Sequence, residues 1–433
     1  MPATMRSLIT ASVLAASLGA ALPALAAPGW RSVPQANVPP ARASFGLTFL
    51  GGPAPELFLV GGCPTDATCA YGEPSLDDAW TFASGAWTAV NATGAPPFGR
   101  FGVAAAGTSD GRAVVFGGAV TKTTSGQGLG KTDDTYLVSP SAGWTKVTGL
   151  APSPRDFAAM TWDPDHGRAL LFGGRDGSNG DAGDTWAFTP GQGWLQLSAG
   201  GASDPPGRRA GALTYDAVDH QALLFGGDAG GSSQDDLWTF QCSSSDATDC
   251  AWTQVTKSSP WPPARSDATF TWDPSRHVAV LFGGQTFGDV AHDGVQDDTW
   301  EWTGSEWTGG ATGGPPARYG HGAAYDPVNQ RLLLFGGLLG DTNAVDGTLW
   351  KYADGSSPGT PDGGSSSGGS DGGSPTSGAD AGSSGSTGTT GGTGNDSSSS
   401  KPPHGRYGCQ TFPPAAALAS LLALLAGRRR RQT

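Results

Sequence analysis

The chain has 433 residues and a formal net charge of −13. That length leaves room for one large domain or two ordinary ones. The acidic balance argues against nucleic acid or an anionic membrane surface as the main partner.

At the N-terminus, Arg6 gives a positive start, and Leu8 to Leu22 is apolar, broken only by small residues. Ala24-Leu25-Ala26 then places small residues where a signal peptidase reads. The pattern predicts a secretory signal over residues 1–26, cut after Ala26. A spanning helix is the competing reading, and the run falls short of the ~20 residues a span needs.

From residue 27 to 353 the sequence repeats. An apolar run ending in Gly-Gly occurs six times, with the second glycines at Gly62, Gly118, Gly174, Gly227, Gly284 and Gly337. Each doublet is followed by a polar stretch and then an aromatic: Trp80, Tyr136, Trp186, Trp238, Trp300 and Trp350. An Asp stands two residues before it in five units, at Asp78, Asp134, Asp184, Asp236 and Asp298; the last unit reads Gly-Thr-Leu-Trp instead. A second tryptophan follows at Trp87, Trp144, Trp194, Trp252 and Trp307, then a proline-rich turn ending in Arg100, Arg155, Arg208, Arg265 or Arg318. The sixth unit lacks its tryptophan and arginine, and the N-terminus supplies them as Trp30 and Arg42. A repeat permuted by one strand is how a closed ring joins its ends.

Each unit reads as four short strands, A to D. Strand A follows the arginine, as in Tyr319 to Tyr325, and ends in an Asp-Pro turn such as Asp326-Pro327. Strand B is the apolar run into Gly-Gly, strand C carries the first aromatic, and strand D the second. The expected fold is all-β: a six-bladed propeller whose last blade is completed by an N-terminal strand. A glycine doublet after an apolar run, then an aromatic, then a tryptophan, resembles the kelch repeat over about 320 residues. The two aromatic rows are expected to be core between blades.

Up-and-down strands place the arginines and the long B–C loops on one face. Those loops, such as Ala119 to Lys131, Arg175 to Gly183, Gln285 to Gln296 and Leu338 to Asp346, vary while the strands repeat, as binding loops on a rigid scaffold do. The arginine row has two readings. Arg42, Arg100, Arg155, Arg208, Arg265 and Arg318, with His321 nearby in strand A, could form a cationic ring for an acidic ligand, as the guanidinium fork suits carboxylates. Alternatively each arginine pairs with the Asp before strand C and locks neighbouring blades, which the near match of the two rows favours. The kelch resemblance also brings in enzymes, copper-radical oxidases and a sialic-acid epimerase. No HExxH motif and no phosphate-cradling loop occurs. An oxidase needs a cysteine free to crosslink a tyrosine. The Asp176 loop has Ser178 and Gly180 where a calcium loop wants Asp or Asn. No cofactor and no metal is expected.

Five cysteines include two close pairs, Cys63 with Cys69 and Cys242 with Cys250, which suggest local disulfides in an oxidising compartment. Residues 354–404 are almost entirely small and polar, a composition expected of a disordered linker. In residues 405–433, Cys409 precedes an apolar segment, Phe412 to Gly427, and four arginines, Arg428 to Arg431. Sixteen helical residues reach about 24 Å, short of a bilayer core of about 30 Å. A Cys, a short apolar segment and an arginine cluster resemble the MYXO-CTERM sorting signal of myxobacterial surface proteins. The resemblance implies processing near Cys409 and a surface-tethered protein, with the membrane touched only through this end; a retained anchor helix is the alternative. The expected function is a surface binding or adhesion module for a protein or glycan ligand. A carbohydrate-active enzyme and a structural envelope protein are the alternatives.

Overall fold

The computed structural model describes residues 27–353 apart from 65–74, 91–92, 95–98, 121–129, 244–245, 288–293 and 310–312. Ala26, Cys69, Cys409, the signal segment, the linker and the C-terminal segment lie outside the described residues. The chain divides into two units, Met1–Gly364 and Ser365–Thr433, and only the first contains described residues.

Every regular element among the described residues is a β-strand. Six four-stranded antiparallel sheets follow one another along the chain. The first comprises Gly46–Leu50, Glu56–Val60, Ala79–Ala83 and Ala86–Ala89 as strands A to D. The third shows the same order in Ala159–Asp163, Arg168–Phe172, Thr185–Thr189 and Gly193–Ser198. The sixth takes strands A to C from Gly322–Asp326, Arg331–Phe335 and Leu349–Ala353, and its outer strand is Gly29–Ser32 from the N-terminus. Trp30 stands opposite Tyr352 in that pairing.

The B strands are buried along almost their whole length, because a neighbouring sheet covers each of their faces. Their Val, Leu and Phe content follows from that burial. The strand-D tryptophans then wedge adjacent sheets together. Trp194 packs at 5.2 Å from Phe188 of its own sheet and 5.2 Å from Phe116 of the preceding one. Trp252 repeats this with Phe240 and Phe172, and Trp87 with Phe82 and, from the sixth sheet, Phe335. Where the preceding strand C begins with Thr, the indole N–H donates to it: Trp194 to Thr135, Trp252 to Thr185 and Trp30 to Thr299, each at 2.9 Å. The aromatic rows are therefore packed between sheets.

The turns between strands A and B are capped by buried aspartates. Asp326 Oδ1 accepts from the N–H of Val328 and Asn329, and Asp163, Asp216 and Asp273 do the same in their turns. A carboxylate that accepts two residues onward holds the chain in an Asx turn. His166, His220 and His277 lie in these turns, on the face opposite the arginines.

The structure corrects the expected strand A. It is two pieces, not one. In the sixth unit Arg318–Tyr319 pairs with Leu338–Leu339, the chain turns at Gly320 (φ +63°), and Gly322–Asp326 then enters the main sheet. The residue after each arginine pairs with the residue after each glycine doublet, so short ladders stand on top of the six sheets.

Candidate functional site

The six arginines are among the most buried side chains of the protein, none more than 3% exposed. In the fourth sheet, Arg208 Nη1 and Nη2 donate to Asp236 Oδ1 and Oδ2 at 2.5 and 2.8 Å. Nη1 also donates to the Gly226 carbonyl, and Nε to the Pro206 carbonyl, both at 3.0 Å. The arrangement recurs at Arg42–Asp78, Arg155–Asp184 and Arg265–Asp298. The indoles of Trp80, Trp186, Trp238 and Trp300 donate to the second oxygen of each carboxylate. Burial alone would raise these four carboxyls, but the hydrogen bonds and charge of the arginines outweigh it and hold them below the usual range.

Two sheets depart from this pattern for visible reasons. In the second, Tyr136 replaces the indole, and Asp134 turns to Lys146 at 2.6 Å while Arg100 stands off at 3.7 Å. In the sixth, where the sequence shows no Asp two residues before the aromatic, Asp346 reaches Arg318 at 2.8 Å from four residues before Trp350.

Arginine and aspartate belong to the same sheet, so these ion pairs do not lock neighbouring sheets, contrary to the sequence expectation. The backbone does that. The second glycine of each doublet donates its N–H to the arginine carbonyl of the next sheet, as in Gly174 to Arg208, and Gly337 donates to Arg42. The first glycines have φ of +62° to +70°, and a Cβ there would lie 2.4–2.7 Å from that same carbonyl oxygen. The doublet is glycine because the next sheet's backbone occupies the space.

A second set of backbone bonds links the units two residues after each arginine. Gly102 donates to Ser44, Phe157 to Gly102, Ala210 to Phe157, Asp267 to Ala210, Gly320 to Asp267, and Ser44 to Gly320. All six residues have φ between +52° and +63°. Below them the A strands line a cavity of about 160 Å³, with Gly46, Ala105, Ala159, Ala212, Thr271 and Ala323 on its wall. Among the described residues, no titratable side chain lines it.

His321 is buried beside this cavity rather than lining it. Its Nε2 is 3.1 Å from Thr269 Oγ1, and its ring packs on Phe282. Burial, with the Arg318 charge adding, pushes its pKa down to about 3, so the imidazole stays neutral at physiological pH.

The short ladders on the arginine face divide by chemistry. In the sixth, first and second units the paired residues are apolar: Tyr319 with Leu338, Ala43 with Cys63, and Phe101 with Ala119. In the third to fifth they are polar: Asp156 with Arg175, Arg209 with Asp228, and Ser266 with Gln285. Arg175 binds both oxygens of the fully buried Asp156, at 3.1 and 2.7 Å. Arg209 bridges Asp181 of the third unit, at 3.0 Å, and Asp228 of its own, at 2.6 Å. Lys131 reaches from the second unit to the Asn179 side chain at 3.0 Å, and Ser233 exchanges hydrogen bonds with Phe287 of the fifth. The loops are braced one to the next. Asp267, held by Gln285 and Ser266, has its pKa raised by burial, with the Asp228 charge adding.

Sequence reasoning did not find Lys131, Asp156, Arg175, Arg209, Asp228 or Asp267. Their signal is positional, since most stand directly after a repeated arginine or glycine doublet, where the residue type varies. Cys242–Cys250 is a disulfide, and Cys63 is disulfide-bonded. No cluster of three metal-ligating side chains occurs among the described residues.

The family described as KLHDC2/KLHL20/DRC7 Kelch-repeats domain matches residues 110–300. The fold is a kelch-repeat, propeller-like one. A solved structure, that of YjhT, is similar with a TM-score of 0.56 over 73% of this chain and 95% of that one. At 16% identity the likeness is one of fold alone. No curated protein matches the sequence.

Proposed function

We propose that the chain is an exported, surface-tethered binding protein, a six-bladed ring that docks a protein partner on its arginine face. Kelch propellers are typically protein-binding scaffolds. The observation that carries the reading is the set of buried, cross-braced ladders beneath that face, which hold the variable B–C loops above them. Variable loops on a rigid frame suit a protein better than a small anion, because the arginines are internally paired. Support for the closed ring comes from the outer strand at Trp30, the packing of Trp87 on Phe335 and the hydrogen bonds returning to Ser44.

Export is supported by the apolar run before Ala26 and by the Cys242–Cys250 disulfide. The tether runs through residues 354–404 to a sorting segment at 405–433, with Cys409 as the processed residue. No helix among the described residues is long and apolar enough to cross a membrane. The last strand, Leu349–Ala353, follows Asp346 on the arginine face, so the chain leaves from the opposite face and the tether does not start on the docking face.

The test is binding of the mature chain to panels of glycans and of acidic and basic proteins. Asp133→Arg and Asp297→Arg change exposed positions on the docking face, and Val328→Arg changes the opposite one. Protein binding lost only in the first two is expected. Binding lost only in Val328→Arg would overturn the choice of face, and binding to glycans alone would replace the partner class. Fractionation with N-terminal sequencing tests export: the mature chain is expected to begin at Ala27, and a cytoplasmic chain retaining residues 1–26 would refute it.

A further inference from the structure

On the face opposite the arginines, strands C and D of the fourth sheet bring Cys242 and Cys250 directly across from one another as a disulfide. A cation from the neighbouring sheet touches it. Arg168 Nη2 lies 2.9 Å from Cys242 Sγ and 3.8 Å from Cys250 Sγ. Arg168 is only 3% exposed, so little water screens its charge. Its Nε end donates to Asp163 Oδ2 at 3.0 Å. That carboxylate also accepts from the His166 ring and from the N–H groups of Asp165 and His166, so its charge is shared among several donors. Asp249, next to Cys250 on the edge strand, is exposed.

We propose that Cys242–Cys250 is a thiol-exchange site whose reactant is an external low-molecular-weight thiol. The attacking thiolate forms a new S–S bond with Cys250, which lies on the sheet's outermost strand between exposed Asp249 and Ala251. The Cys242–Cys250 bond breaks, and its electron pair goes to Cys242 Sγ. Cys242 leaves as a thiolate against the Arg168 guanidinium. No proton moves in this step. A second external thiol releases Cys250 as a thiol and carries away the oxidised pair, or Cys242 attacks back and restores the disulfide. A cation against the leaving sulfur lowers its pKa and speeds its departure, so the two sulfurs are unequal.

The test uses the full chain with mass-spectrometric mapping of the two cysteines. Exposed to glutathione, the unmutated protein is expected to form its mixed disulfide on Cys250 and to leave Cys242 open to alkylation. In Cys250→Ser, alkylation of Cys242 against pH is expected to show a midpoint at least one unit below the ordinary thiol value of about 8.5, about tenfold more thiolate near neutral pH. Cys250 in Cys242→Ser is expected to show no such depression. Arg168→Gln raises the Cys242 midpoint, and Arg168→Lys keeps it low. A Cys242 midpoint at or above the ordinary value, or a mixed disulfide on Cys242, overturns the proposal. The glutathione mapping decides the matter without any substitution.

Discussion

Arg208→Ala separates a structural arginine row from a ligand-binding one. The guanidinium is completely buried and makes four hydrogen bonds, two of them to Asp236, whose side chain is 12% exposed. Truncation leaves that carboxylate and the Gly226 carbonyl facing a void. Removing one partner of a buried pair costs about 3–5 kcal/mol. The exposed pair Arg112–Asp110, at 36% and 54% side-chain exposure, sets the comparison, and Arg112→Ala is expected to cost less than ~1 kcal/mol. Urea unfolding of the two variants measures both. The difference also depends on pH in a known direction. Asp236 titrates below its ordinary range when folded: burial opposes this, and Arg208 and the Trp238 indole outweigh burial. Its stabilising contribution is therefore present above the unfolded carboxyl value, about 3.9, and disappears as pH falls through the folded value. As pH falls, the gap between wild type and Arg208→Ala is expected to start closing where Asp236, left buried without Arg208, takes up its proton above the ordinary carboxyl range, and to go on closing down through the lowered wild-type value. A loss below ~1 kcal/mol, equal to that of Arg112→Ala, would refute the structural role.

Gly226→Ala places a Cβ 2.4 Å from the Arg265 carbonyl at φ +62°, and is expected to cost at least ~1–2 kcal/mol by thermal or urea unfolding. Gly177→Ala, in an open loop with nothing within 4 Å, is expected to be neutral. Trp194→Phe and Thr135→Val each delete the same buried hydrogen bond, so each is expected to cost about 1 kcal/mol and the double variant less than the sum. Trp30→Ala removes a ring packed 5.0 Å from Phe282 and 4.9 Å from Tyr352, and is expected to lose about 3–5 kcal/mol in the same assay. A smaller loss there would argue that the N-terminal strand is dispensable to the sixth sheet.

Much of the fold was legible because its determinants recur at fixed spacing. The apolar B strand, the glycine doublet, the two aromatics and the arginine can be aligned by eye, and repetition turns weak local signals into a strong one. The same alignment suggested that arginine and aspartate pair. It missed Asp346, which stands out of register, and it drew strand A as continuous where the chain turns at positive φ after each arginine. The polar ladders beneath the docking face were invisible for the opposite reason: their residues occupy the positions where the repeat varies.

The sequence by itself determined the strand order and the apolar content of the B strands, because these follow from local burial; that a neighbouring carbonyl excludes a Cβ at each glycine doublet came from the tertiary structure. Only the tertiary structure decided which groups meet across sheets. It placed the arginine ion pairs within a sheet and left the locking between sheets to backbone carbonyls, and it set Arg168 against a disulfide 74 residues away. Contacts of that kind depend on how whole sheets stack. The stacking comes from buried faces that all six units share, so no single segment of chain records which polar group will lie opposite which.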